Sequence, residues 1–282
     1  MIQWYPGHMA KARRILQKDL NLVDLVVEVL DARIPQSSRN PDLDELLKGK
    51  ERIIALNKID LAADSITKRW KQFFSTKYQV VEINSLSGKG IKNLLQIIRN
   101  LGQKINKTII KKGRNKRDIR IMILGIPNVG KSALINVLAG SNITKTGNRP
   151  GVTRGRQWIS VGKDIQLLDT PGILWPKFDD EEVGYKLALT GAIRDQVFDE
   201  EMAAYKLIDY LLKIDRNILE NKYNIEIDTN LAYDILPLIG KKTGCLMSGG
   251  KVDRTRTANK LITNFRNGKL GSISLEIPGV DK

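Results

Sequence analysis

The feature of this sequence that most restricts its fold is the loop at residues 125–132, which reads Gly-Ile-Pro-Asn-Val-Gly-Lys-Ser. The apolar run at 119–124 predicts a β-strand before the loop, and the spacing of apolar residues over 132–138 predicts a helix after it. A strand, a G-x-x-x-x-G-K-S loop and a helix in this order are typical of α/β proteins that bind nucleotide phosphates at a helix N-terminus. The alternative is a glycine-rich turn with a surface lysine.

Each residue type in this loop suits phosphate binding. Glycines such as Gly130 let backbone N–H groups surround the phosphates, Lys131 reaches the β and γ phosphates, and the Ser132 hydroxyl is a ligand for Mg²⁺. The predicted nucleotide contacts in this part of the chain are Asn128, Val129, Gly130, Lys131, Ser132 and Ala133.

Short apolar runs alternate with helical patterns through the first half of the chain. Strands are predicted at residues 25–30, 52–56, 80–83, 119–124 and 165–168, and helices at 8–20, 65–74, 90–101 and 132–138. This alternation predicts a mostly parallel, doubly wound sheet. The segment 103–120 has eight basic residues and one acid, and we expect it to be an exposed connection.

The last hundred residues have a different pattern. Apolar residues spaced by three and four over 198–212 indicate an amphipathic helix, and two more helical patterns follow at 230–238 and 252–265. None of the segments between them is a convincing strand. The sequence therefore predicts a domain at 1–178 with an N-terminal extension, and a smaller all-α domain at 179–282.

A guanine-reading motif is predicted where the strand at 52–56 ends. The segment reads Asn57-Lys58-Ile59-Asp60, and the Asp60 carboxylate could accept hydrogen bonds from N1–H and the 2-amino group of guanine, a pair that adenine lacks. Asn57 would brace the loop, and the Lys58 stem would lie over the base. One strand later, Ser85-Leu86-Ser87 is similar to a Ser-Ala-Lys loop whose backbone supports the guanine oxygen, with Leu86 in place of the usual alanine. Asn84, directly before this loop, is also among the predicted nucleotide contacts.

Two further segments are predicted to surround the γ phosphate. Asp169-Thr170-Pro171-Gly172 follows the strand at 165–168, so Asp169 would hold the magnesium shell and the Gly172 amide would meet the γ phosphate. In the glycine-containing segment 147–153, Thr153 would join the magnesium only with triphosphate bound. The alternative is that Thr153 is simply a loop residue. The predicted metal ligands are Ser132, Thr153 and Asp169.

The order of these motifs along the chain is unusual. Asn57 and Ser85 precede the phosphate loop, whereas in ordinary GTPases the guanine motifs follow it. A doubly wound sheet allows this order, because its site is assembled from the ends of strands. The predicted fold class is therefore α/β, a P-loop GTPase-type doubly wound sheet with circularly permuted motifs, followed by the all-α C-terminal domain.

With these motifs, the chain closely resembles the circularly permuted bacterial GTPases of the ribosome biogenesis GTPase A (RbgA, YlqF) family. Three further segments carry the resemblance: Trp4-Tyr5-Pro6-Gly7-His8-Met9, Asp31-Ala32-Arg33-Ile34-Pro35, and the tail at 256–271. The resemblance implies binding of GTP and GDP, hydrolysis of GTP during late assembly of the large ribosomal subunit, and contact between the helical domain and ribosomal RNA.

The resemblance also implies how water would be activated. Ile173 stands where many GTPases have a water-orienting glutamine, and in this family His8 is the proposed replacement. The alternative is that His8 is a surface or packing residue. Asn128 matches an asparagine that helps hold a monovalent cation in potassium-stimulated GTPases, so K⁺ joins Mg²⁺ as a candidate cofactor. The predicted catalytic residues are His8, Lys131, Thr153 and Gly172.

Charge points to the class of partner. Lys and Arg number 47 against 31 Asp and Glu, and eight basic residues and one acid fall within 241–271. The net charge of +16 favours a polyanion, with RNA preferred over an anionic membrane. With no membrane-length apolar run or signal peptide, we expect a cytoplasmic protein that is monomeric when free.

Two alternative functions stay open. One is an RNA-binding assembly factor that keeps GTP as a structural ligand. The other is a membrane-associated signalling GTPase, although the chain lacks a lipidation signal.

Overall fold

The computed structural model describes residues 14–140, 158–168, 180–193, 195 and 198–279. Within these ranges, six strands form one sheet in the order β3-β2-β1-β4-β6-β5. The strands are β1 (Leu25–Asp31), β2 (Glu51–Asn57), β3 (Gln79–Glu82), β4 (Ile119–Leu124), β5 (Trp158–Val161) and β6 (Ile165–Leu168). Neighbouring strands are parallel except β5, which pairs antiparallel to β6 at one edge and was not predicted from the sequence.

Helices lie between the strands and make up the C-terminal part. The first part contains α1 (residues 14–20), α2 (Asp42–Leu46), α3 (Asp64–Ser75), α4 (Ile91–Lys111) and α5 (Lys131–Ala139). The second contains α6 (Glu181–Leu189), α7 (Glu200–Ile214), α8 (Asn217–Tyr223), α9 (Ala232–Lys242) and α10 (Arg254–Arg266). The predicted α/β class with all-α C-terminal helices is confirmed, although α6 and α8 were not among the predicted helices.

Both faces of the sheet are buried. Along β1, Val27 and Val29 pack on one face, whereas Val26 and Leu30 pack on the other. A parallel sheet covered on both sides needs apolar residues at successive positions, which explains why the strands appear in the sequence as continuous apolar runs. The apolar core around Val27 and Val29 continues from the sheet into α6, α7, α9 and α10. The division between 1–178 and 179–282 therefore stays a prediction.

The prediction of an exposed connection at 103–120 is wrong for the first half of this segment, because α4 continues to Lys111. Asn106 is buried on the inner face of this extension. Its side chain donates to the Arg117 carbonyl at 3.0 Å and accepts from the Arg117 N–H at 3.3 Å. Lys104 and Lys107 lie on the exposed face of the same helix. Three of the eight basic residues, Lys104, Lys107 and Lys111, thus lie on an amphipathic helix, and the connection itself is limited to residues 112–118.

Candidate functional site

The candidate site lies at the carboxyl edge of the sheet. Asp31 at the end of β1 is level with Asn57 at the end of β2, and β4 runs parallel on the other side of β1. The loops that follow these strands therefore leave the sheet at the same edge, which is where doubly wound folds bind ligands. Residues 125–132, named here the phosphate loop, come together with residues 57–60, named here the guanine segment.

The phosphate loop depends on a glycine at its last position before the helix. Gly130 has φ of 100° and is the N-cap of α5. A Cβ atom at this position would lie 2.3 Å from Asn57 Nδ2, which is a severe overlap. Glycine is therefore required both for the backbone conformation and for the close approach of Asn57. It also has no side chain that could accept from the first N–H groups of α5, which can thus bind an anion.

Lys131 begins α5 and lies folded against its own loop. Its Nζ donates to the Ile126 carbonyl at 2.7 Å, and the residue is 8% exposed. Burial lowers the pKa of Lys131 to about 8 from an ordinary value of 10.5. A buried ammonium group whose hydrogen-bond acceptor here is a neutral carbonyl is a favourable place for phosphate oxygens. Ser132 follows on an exposed part of the first turn, and Ala133 is half-buried beside it.

Asn57 links three loops through one side-chain amide. Its Nδ2 donates to the Val129 carbonyl of the phosphate loop at 2.7 Å. Its Oδ1 accepts from Ser85 N at 3.0 Å and from Ser85 Oγ at 2.9 Å. Asn57 and Ser85 are both buried. The residues predicted for phosphate binding and for base reading are thus brought together by hydrogen bonds within the described chain.

The loop after β3 is arranged around Asn84. Its Oδ1 accepts from the N–H groups of Leu86 and Ser87 at 2.8 and 3.0 Å. The Leu86 side chain is 86% exposed, so replacing the usual alanine creates no packing demand inside the protein. Two N–H groups of the loop predicted to support the guanine oxygen therefore donate to Asn84 in this structure.

Lys58 contacts a buried acid in this structure. It has φ of 61°, and its Nζ lies 2.9 Å from Asp31 Oδ2. Arg33 donates to the same carboxylate from Nε at 2.9 Å and from Nη2 at 2.8 Å. Burial alone would raise the pKa of Asp31, but the charges and hydrogen bonds of Arg33 and Lys58 hold it well below its usual range. Asp31 is therefore an ionised anchor for Lys58, while Asp60 stays exposed.

Asn128 connects the phosphate loop to the C-terminal helices. Its Nδ2 donates to the Gly191 carbonyl at 2.6 Å, just beyond the end of α6. Arg266 of α10 donates to two carbonyls of the same helix end, Ala188 at 2.7 Å and Leu189 at 3.1 Å. The residue proposed for a monovalent cation thus also joins the two parts of the chain. The other predicted site residues, His8, Thr153, Asp169 and Gly172, lie outside the described residues, as does Ile173.

The apolar side of α10 packs inward, because Ala258, Leu261, Ile262 and Phe265 are all buried. Six basic residues between 241 and 269 are exposed: Lys241, Lys242, Lys251, Arg256, Lys260 and Lys269. The other two have internal roles. Arg266 pairs with Asp195, and Arg254 lies over the Tyr233 ring with 3.8 Å between its guanidinium carbon and the ring centroid. Among the described residues, no helix is long and apolar enough to cross a bilayer.

Sequence reasoning missed the contacts that reach this edge from the end of the chain. Residues 272–276 hydrogen-bond to the turn that contains Asp60 and to the loop after β1. A signal was present, because Ser-Ile-Ser-Leu-Glu-Ile at 272–277 alternates polar and apolar residues as an extended segment does. Its partner, however, lies more than two hundred residues away.

Known proteins are similar to this chain over nearly its whole length. The model of the family described as "50S ribosome-binding GTPase" matches residues 120–230. The chain is 47% identical over 279 residues to ribosome biogenesis GTPase A of Bacillus licheniformis, and the match covers 99% of both chains. It is 46% identical over 279 residues to the Bacillus cereus protein of that name, covering 99% of this chain and 94% of that one.

Solved structures of a similar protein contain guanine nucleotides. GNP-bound YlqF from T. maritima is 30% identical with a TM-score of 0.65, and the match covers 95% of this chain and 99% of that one. The GDP-bound structure of the same protein has a TM-score of 0.66 at 30% identity, covering 94% and 99%. This chain belongs to the ribosome biogenesis GTPase A family and is a guanine-nucleotide-binding GTP hydrolase that acts in ribosome biogenesis.

Proposed function

We propose that this GTPase binds the maturing large (50S) ribosomal subunit in its GTP form, contacts ribosomal RNA through its C-terminal helices, and leaves after hydrolysis. The observation that carries the RNA contact is the exposed basic surface of Lys241, Lys242, Lys251, Arg256, Lys260 and Lys269. Buried apolar residues of α10 fix this helix, so Arg256 and Lys260 are presented on a rigid element. We further propose that the free protein is monomeric and works in the cytoplasm.

Within the nucleotide site, Lys131 would meet the β and γ phosphates, and Asp60 would accept hydrogen bonds from guanine. Backbone groups of Val129, Gly130 and Ala133 would surround the phosphates, with Asn57, Lys58, Asn84, Ser85 and Leu86 forming the base side. Gly172 would meet the γ phosphate, and His8 would position the attacking water. These roles are consistent with the meeting of the two loops at one sheet edge.

Magnesium fits the oxygen donors proposed for it. Ser132 lies exposed in the first turn of α5, and Asp169 directly follows β6, whose Leu168 pairs with Met122 of β4. With Thr153 these residues would give two hydroxyls and one carboxylate, which are hard oxygen ligands that Mg²⁺ accepts. The ion would neutralise charge on the phosphates. Asn128 uses its nitrogen for Gly191, which leaves its oxygen as the atom that would meet K⁺.

The RNA contact can be tested by charge removal at two matched places. We expect Lys241→Gln/Lys242→Gln/Lys251→Gln to weaken co-sedimentation with large subunits in a GTP analogue by about tenfold or more, because three phosphate contacts are lost. The control, Lys104→Gln/Lys107→Gln/Lys111→Gln, removes the same charge from the exposed face of α4. If both triple variants weaken binding equally across a salt series, binding depends on total charge and the proposed surface is wrong.

Coupling to the subunit is tested by hydrolysis rates. Since the chain lacks a glutamine after Gly172, we expect turnover of the free protein on the order of 10⁻⁴ to 10⁻² per second. Large subunits should accelerate it. Equal rates with and without subunits would contradict the coupling, while a normal GTP affinity with slow hydrolysis in His8→Ala would support the role of His8.

A further inference from the structure

The end of the chain returns to the guanine segment. Residues 272–276, named here the C-terminal clamp, lie along the turn that follows β2. Ser272 Oγ donates to the Asp60 carbonyl at 3.0 Å, Ile273 N donates to the Leu61 carbonyl at 2.9 Å, and Ser274 Oγ accepts from Ala63 N at 3.1 Å. Three successive clamp residues therefore hold the backbone on both sides of this turn.

The clamp is itself anchored at its far end. The Leu275 N–H donates to the Arg33 carbonyl at 2.8 Å, and the Trp70 indole donates to the Glu276 carbonyl at 3.1 Å. The Glu276 side chain is 2% exposed and accepts from Gln36 N at 2.8 Å and from Ser37 N at 3.1 Å. Because these partners belong to the loop after β1 and to α3, the clamp is fixed to the part of the chain that forms the sheet.

Gly268, shortly before the clamp, packs closely against the turn that follows the guanine segment. A Cβ atom on Gly268 would lie 2.7 Å from Leu61 Cδ2, and this glycine has φ of +69°. The turn itself has the local hydrogen bond from Leu61 N to the Lys58 carbonyl at 2.9 Å, and Lys58 has a left-handed conformation. The carbonyl of Asp60 is held by Ser272, which lies 212 positions further along the chain.

From these contacts we infer that the C-terminal clamp is a specificity-determining element, in which Ser272 and Ser274 are positioning residues that orient Asp60 toward the guanine base. The inference rests on the proposed function of Asp60. Two hydrogen bonds to N1–H and to the 2-amino group need a carboxylate held at a fixed angle, because hydrogen-bond strength falls steeply with misalignment. If the clamp is loosened, the hydrogen bond from the 2-amino group to Asp60 is lost. The 2-amino group is present in guanine and absent from hypoxanthine, so the preference between these bases should fall.

The test compares GDP with IDP, whose base lacks the 2-amino group, by calorimetric titration of the full chain. We expect Ser272→Ala/Ser274→Ala to reduce the preference for GDP over IDP by about three- to tenfold, the effect of one weakened hydrogen bond. The single variant Ser272→Ala, at an exposed position, should reduce the preference for GDP over IDP by less. Ser272→Thr keeps the hydroxyl group and should have the original preference. Ser248→Ala is the matched control, since Ser248 is exposed in the turn before α10.

The outcomes separate the inference from the proposed function. If both affinities fall together and the GDP-to-IDP ratio stays within twofold in Ser272→Ala and in the double variant, the clamp is only structural and the inference is overturned. Asp60→Asn tests the base-reading role by itself. If Asp60→Asn leaves the preference unchanged, the proposed role of Asp60 fails; if it abolishes the preference while the clamp variants do not alter it, only the inference about the clamp fails.

Discussion

The phosphate loop and the guanine segment meet at the same edge of the sheet, yet they are held by contacts of different range. Within the phosphate loop, Lys131 reaches back five residues to the Ile126 carbonyl, and Gly130 supplies the conformation that starts α5. In the guanine segment and the turn that follows it, the Asp60 carbonyl and the Ala63 N–H are bound by serines 212 and 211 positions away. Asn57 joins the two loops.

This difference in range predicts a difference in function. A loop held by its own residues should lose phosphate binding for every nucleotide when it is altered. A segment held by distant residues should lose discrimination between bases when those residues change, while phosphate affinity is retained. The two classes of defect can be separated experimentally, and variants of each loop and of the residue that joins them sharpen the comparison.

The largest effect is expected from Gly130→Ala. The new Cβ would meet Asn57 Nδ2 at 2.3 Å in a backbone with φ of +100°, so both the loop and its link to the guanine segment must shift. We expect a loss of about 1 to 3 kcal/mol in the free energy of unfolding from backbone strain, measured by urea denaturation. Affinity for GDP and IDP should fall together by about a hundredfold.

A matched variant, Gly140→Ala, separates the effect of backbone strain from the effect of steric overlap. Gly140 also has a positive φ, +68°, but a Cβ there would have no heavy atom within 4 Å. Gly140→Ala should therefore lower stability while nucleotide affinity stays within about twofold of the original, because only the conformational cost is present. Normal GDP affinity in Gly130→Ala would show that the phosphate loop is not the binding element.

Asn57→Ala should have the second-largest effect, because it breaks the link between the loops. The Val129 carbonyl and both Ser85 donors would lose their buried partner, which costs about 1 to 3 kcal/mol of stability. We expect GDP affinity to fall by roughly ten- to thirtyfold and the GDP-to-IDP preference to shrink as well, measured by titration. Asn93→Ala, on the exposed face of α4, is the control. A change in affinity without a change in preference would mean that Asn57 supports only the phosphate side.

The difference between short-range and long-range contacts also determines which features could be predicted from the sequence. The strand at 119–124 and the loop up to Ser132 were located correctly, because neighbouring residues determine them. Asn57 could be placed by its position at the end of a strand. The extension of α4 was missed because the lysines around Asn106 resemble a solvated linker, and only the buried pairing with Arg117 shows otherwise. The clamp could not be predicted, because it depends on which distant turn lies beside residue 272.

The smallest effect concerns the charge of Lys131 and is read from the dependence of affinity on pH. Burial sets the pKa of Lys131 at about 8, so the free protein carries this charge below pH 8 and loses it above. Phosphate oxygens favour the charged form, and binding above pH 8 must therefore take up a proton. We expect GDP affinity to be nearly constant from pH 6.5 to 7.5 and to fall by up to about tenfold for each pH unit above 8. Lys131→Arg stays charged throughout and should show only the pH effect of the nucleotide itself. Equal slopes in the two proteins would mean that Lys131 is charged before binding at every pH, and that the phosphate loop keeps its cation without help from a ligand.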